Sequence, residues 1–191
     1  MSLEMRWKEL GVRASVRKRR LHACGCFRLE RAGDLEAHLV AWVERAEQLA
    51  DGQITAAELT VEGRSRPAGG DASLATLSDD DLNQVWDACV VHSDDDEGLD
   101  HTDSRVVARL RVLEDLVGPA GPVLSPAWLT DTAVSLARGM YESRDFSAMP
   151  ILADALQDAG CDNADILTHC RDANQPHVRG CWVVDLVLGK E

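Results

Sequence analysis

The sequence predicts an all-α protein, a compact bundle of about eight or nine helices, and three observations predict it. Apolar residues recur at i, i+3, i+4 and i+7 in one segment after another. Helix start and stop signals separate those segments. The one strand-like run, Cys181 to Leu188, has no partner strand elsewhere and reads as a buried helix.

The first helix is expected from Val12 to Leu29, with Val16, Leu21, Cys24 and Phe27 along a loose stripe and Arg17 to Arg20 mostly outward. Asp34 to Ala50 is the clearest element, because Leu35, His38, Leu39, Trp42, Val43, Ala46 and Leu49 share one face and Asp51-Gly52 stops it. Thr55 and Glu58 have capping-box spacing and open a short helix. The Gly- and Pro-containing stretch 63–73 reads as a mobile loop. Ser78, followed by Asp79 to Asp81, starts a helix through Leu82, Val85, Trp86, Cys89 and Val90. Another runs from Asp103 to Val117, with Val106, Val107, Leu110, Leu113, Leu116 and Val117 inward, and Gly118 to Pro122 ends it. Thr130–Ser143, Phe146–Ala159, Asp162–Cys170 and Val178–Leu188 complete the series. We expect one domain, 1–191, with a sub-boundary at 118–122.

At 191 residues the chain is long enough to bury a substantial core. No apolar run approaches the roughly 18 residues of a membrane span. The N-terminus lacks a secretory pattern, so a cytoplasmic location with reduced cysteines is expected. Charge is uneven: residues 1–31 carry nine Lys/Arg against three Glu, and the remainder carries 11 basic and 30 acidic residues. Such an acidic body repels phosphate backbones and disfavours nucleic acid as a partner. The run Arg17, Lys18, Arg19 and Arg20 is therefore read as an intramolecular or protein contact, with nucleic-acid contact as an alternative.

Chemistry-bearing side chains concentrate after Gly160, where Cys161, His169, Cys170, His177, Cys181 and Asp185 lie within one apolar stretch. Zinc takes Cys and His in tetrahedral sites. On a helix, His177, Cys181 and Asp185 would form one stripe, whereas Cys161 and His169 are too far apart on one helix to share an ion unless the helix breaks. There is no paired C-x-x-C, so core packing is favoured for all five candidates, namely His177, Cys181, Asp185, Cys161 and His169, with zinc as the alternative and no cofactor expected. His22, Cys24 and Cys26 would need an irregular backbone to converge. The acidic stretch Asp94 to Asp103 lacks the calcium-loop pattern and reads as solvated. Asp154, Asp158, Asp162 and Asp165 read as a solvated face interrupted by Gly160. No G-x-S-x-G, Walker A or H-E-x-x-H motif occurs.

The segments Trp128-Leu129-Thr130, Ala137-Arg138-Gly139-Met140-Tyr141, Pro150 to Leu156, Ala159-Gly160-Cys161 and His177-Val178-Arg179-Gly180-Cys181-Trp182-Val183-Val184-Asp185 resemble the C-terminal region of a family of bacterial, planctomycete-type proteins, some joined to a repeat-companion domain. The basic segment Arg19 to Arg28, with Cys24 and Cys26, is similar to a helix near the start of those proteins. The resemblance implies a module and no particular reaction. The sequence as a whole favours a non-catalytic protein–protein interaction or adaptor module over an enzyme. Two alternatives stand beside it: a zinc-stabilised module, or an enzyme with its site near the C-terminal helices.

Overall fold

The helix expected from Val12 to Leu29 begins only at Val16, as α2 (Val16–Glu30), and a separate helix that the periodicity did not suggest, α1 (Leu3–Arg13), precedes it across a break at Ala14-Ser15. Ala14 is buried at this break, and its carbonyl accepts from Arg19 Nε at 3.0 Å. The computed structural model describes residues 3–30, 37–60, 104–121 and 123–190. Helices α3 (Ala37–Ala50), α4 (Ala56–Thr60), α5 (Ser104–Val117), α6 (Asp131–Ser143), α7 (Met149–Asp158), α8 (Ala164–Arg171) and α9 (Trp182–Leu188) follow, with a 3₁₀ turn at Pro126–Trp128. No strand occurs among the described residues, and the fold is all-α. None of these helices is long and apolar enough to cross a membrane. The expected loop at 63–73, the helix after Ser78 and the acidic stretch 94–100 lie outside the described residues.

Internal contacts divide the chain into two compact units, Met1–Glu114 and Asp115–Glu191. This division falls just before the sub-boundary expected at 118–122. In the first unit α2 packs on α3 through Ala23, Cys24, Phe27, Val43 and Ala46. Arg28 Nε donates to buried Glu47 at 2.9 Å across the same pair of helices. The capping box forms as the sequence predicts: Thr55 N–H donates to Glu58 Oε2 at 2.6 Å and Glu58 N–H to Thr55 Oγ1 at 3.3 Å.

In the second unit α6 packs on α7 and α9, and α7 on α8. Leu152, Leu156 and Ile166 are fully buried there among Met149, Cys170 and Val183, each contributing about 1.5–3 kcal/mol of burial. Thr130 Oγ1 caps α6 by accepting from Ala133 N–H at 3.2 Å. Asn163 Oδ1 caps α8, accepting from Asp165 and Ile166 N–H at 3.0 and 3.2 Å. Between them, α7 closes in a Schellman motif: Cys161 N–H donates to Leu156 O and Gly160 N–H to Gln157 O, both at 2.9 Å.

Candidate metal centre

Two backbone reversals decide which thiols and imidazoles meet. The Schellman closure makes Cys161 the third residue beyond α7, where it turns onto the apolar face of the helix it has just left and is only 3% exposed. Cys161 is thus a core residue, and it does not share a helix with His169 as the spacing suggested. The helix expected from Val178 begins only at Trp182, with Cys181 as its N-cap. The four preceding residues form a turn in which Cys181 N–H donates to Val178 O at 2.9 Å and Gly180 has φ +93°. That φ is natural for glycine at the third position of a type II turn. His177 and Cys181 therefore meet across a turn and not along a helix face.

The candidate ligand the sequence did not offer is Asp115, near the end of α5. Its carboxylate is fully buried. Oδ1 lies 2.8 Å from His177 Nδ1 and 3.1 Å from His169 Nε2, while Oδ2 accepts from Val178 N–H at 2.9 Å. His169 Nε2 lies 3.3 Å from Cys181 Sγ, and Cys181 Sγ is 3.8 Å from His177 Nδ1. One ligand atom from each of Asp115, His169, His177 and Cys181 falls within 4.8 Å of all the others. Ligands held at about 2.0–2.3 Å from a tetrahedral ion stand roughly 3.3–3.6 Å apart. The separations of 2.8, 3.1, 3.3 and 3.8 Å in this quartet straddle that edge length.

Burial pushes the Asp115 carboxyl up, but hydrogen bonds and charge from His169 and His177 outweigh it and hold the group below the ordinary carboxylate range. Burial, reinforced by the Asp115 charge, pushes the Cys181 thiol well up, against a smaller opposing pull from the Val184 and Val183 N–H groups. Burial likewise raises Cys170, to about 12. Such thiols are poor nucleophiles. A bound cation reverses the balance for Cys181, because a coordinating thiol is deprotonated outright.

The donor chemistry fits a cation better than a proton network. His169 Nε2 carries at most one proton yet faces both Asp115 Oδ1 and Cys181 Sγ. A single ion between the four atoms would take one lone pair from each of them. Two imidazoles, one thiolate and one carboxylate form a borderline-soft set suited to zinc and ill-suited to calcium or magnesium.

Of the five candidates from the sequence, His169, His177 and Cys181 come together. Cys161 packs in the core, and buried Asp185, on α9, lies outside the quartet. Asp115 is separated from His177 by 62 residues; its only signal in the sequence was a carboxylate beside Leu113 and Leu116 on a helix face. None of Cys24, Cys26, Cys161, Cys170 and Cys181 is in a disulfide. In the first unit, His22 Nε2 lies 3.0 Å from Arg109 O and 3.5 Å from Cys26 Sγ. The basic run is largely engaged locally: Arg17 pairs with Asp51 at 3.1 Å, Arg19 bonds Ala14 O, and Arg20 is 2% exposed. Lys18 is half-buried, its N–H donating to Ser15 Oγ at 3.3 Å. A groove of about 730 Å³ along α6, lined by Thr132, Ser135, Gly139 and Ser143, contains none of the quartet. Comparison with protein-family models, with curated proteins and with solved structures returns no match to this chain.

Proposed function

We propose that Asp115–Glu191 is a zinc-stabilised helical module and that the chain acts as a non-catalytic interaction component. The observation that carries the reading is the convergence of four ligand atoms of the right chemistry within 4.8 Å. Four protein ligands complete a tetrahedron, which is the closed arrangement of structural zinc; catalytic sites keep a position for water. Burial supports the same reading, since Asp115 and Cys181 are fully enclosed and the two imidazoles nearly so. The ion would join the end of α5, the last turn of α8, and the turn and N-cap that lead into α9. A protein partner for the module accords with the acidic composition. The resemblance to the bacterial family adds no reaction to this reading.

Elemental analysis of protein purified without added metal tests the proposal. One zinc per chain is expected, and none in the His177→Ala/Cys181→Ala variant. Wild-type protein that holds no stoichiometric zinc, and takes up none on titration, contradicts it.

A further inference from the structure

Building on the zinc reading, we infer that Gly118 and Trp182 are a positioning pair that sets Asp115 against Cys181. Gly118 comes three residues after Asp115, at the exit of α5, with φ +61°. A Cβ at Gly118 would lie 2.5 Å from Trp182 Cγ, 2.6 Å from Cδ2 and 2.9 Å from Cδ1, so the base of the indole rests directly on the glycine backbone. Turning the ring about χ2 does not move Cγ, and the side chain is 6% exposed, which leaves it nowhere to swing. Trp182 is also peptide-bonded to Cys181. Its ring centroid is 5.1 Å from that of His169, and His169 stands edge-on to His177 at 4.9 Å.

One indole therefore meets the end of the helix that carries Asp115, adjoins the backbone of Cys181 and packs on His169. Any side chain at position 118 pushes the indole away from α5 and carries Cys181 and His169 with it. A shift of a few tenths of an ångström is large against the tolerance of a tetrahedral site, where ligand distances hold to about 0.2 Å. Residues that orient metal ligands typically change affinity by about 10–100-fold when replaced.

The test measures zinc affinity of the full chain by competition with a chromophoric chelator, with the absorption of the cobalt(II)-substituted protein as a readout of site geometry. Gly118→Asn is the informative variant, because asparagine tolerates the left-handed backbone while still placing a Cβ against the indole. We expect zinc affinity to fall about 10–100-fold and the tetrahedral cobalt bands to weaken. Trp182→Phe, which keeps Cγ on Gly118, retains affinity within about threefold, whereas Trp182→Ala loses about as much as Gly118→Asn. In the double variant Gly118→Asn/Trp182→Ala the two losses do not multiply, since Trp182→Ala takes away the indole that the new Cβ displaces. Unchanged zinc affinity and cobalt bands in Gly118→Asn, with only a lower melting temperature, overturn the positioning role and leave the zinc reading intact. Should Gly118→Asn fail to fold, the contrast between Trp182→Phe and Trp182→Ala decides, equal affinities overturning the inference. Wild-type protein that binds no zinc sinks the zinc reading and this inference together.

Discussion

Replacing Asp115 by Asn changes one atom in the centre of the quartet and removes the only carboxylate in it. The amide still accepts from Val178 N–H, now 2.9 Å from Oδ2, so local backbone structure is preserved. What is lost is the anionic group facing His177 Nδ1 at 2.8 Å and His169 Nε2 at 3.1 Å, on a carboxylate with no solvent exposure. Breaking a buried charged pair costs at least about 3 kcal/mol, which corresponds to about 100-fold in metal affinity. Zinc at 100 times the wild-type dissociation constant stabilises the wild type by about 2.7 kcal/mol, and a variant that binds 100-fold more weakly by only about 0.4 kcal/mol. For a unit of this size that difference reads as a zinc-dependent rise in melting temperature of about 10–20 °C in the wild type against about 2–3 °C in the variant. Thermal unfolding followed by circular dichroism, with and without zinc at that fixed concentration, measures it. An equal zinc-dependent shift in both proteins refutes the place given to Asp115.

Three further outcomes follow from the same geometry. Cys161→Ala costs about 1 kcal/mol of stability but leaves zinc stoichiometry unchanged, whereas Cys181→Ala abolishes it; elemental analysis of the two variants separates core thiol from ligand, and zinc loss in Cys161→Ala would reverse the assignment. Asn163→Ala removes the cap of α8 and lowers stability by about 1 kcal/mol with zinc retained, as urea unfolding and metal content would show. In the first unit, burial presses the His22 imidazole down from 6.5 to about 4, the carbonyl of Arg109 opposing and the Arg109 charge adding to it. The unfolded chain therefore takes up this proton first as pH falls. Stability from keeping His22 neutral is intact above about pH 7 and is lost progressively between 6.5 and about 4, by about 3 kcal/mol in all. Urea unfolding across that range should show the stability difference between wild type and His22→Phe falling with acidity; a constant difference contradicts the buried neutral imidazole.

Periodicity and capping residues were enough to read most of the helices. Thr55 with Glu58, Asp51-Gly52 after α3 and Gly118 after α5 all act as their positions suggested, because caps and terminators depend on bonds only a few residues long. The site was half-legible for the opposite reason. His169, His177 and Cys181 stood out as chemistry-bearing residues in an apolar stretch, but their geometry was assigned to continuous helices. Gly180 turned the chain one residue before Cys181, and a glycine within a helical pattern does not announce whether it is tolerated or reverses the backbone. Asp115 was out of reach, since a carboxylate on an amphipathic helix looks solvated until tertiary packing buries it. The break at Ala14-Ser15 left no Gly or Pro signal at the two residues themselves.

X-ray absorption at the zinc edge on the purified chain tests the central claim most directly, because it reports the ligand shell itself. The account predicts a four-coordinate ion with one sulfur at about 2.3 Å and three nitrogen or oxygen neighbours at about 2.0–2.1 Å, the sulfur shell vanishing in Cys181→Ser. A six-coordinate shell of oxygen and nitrogen alone, or two or more sulfurs, would contradict the assignment of Asp115, His169, His177 and Cys181 to one zinc.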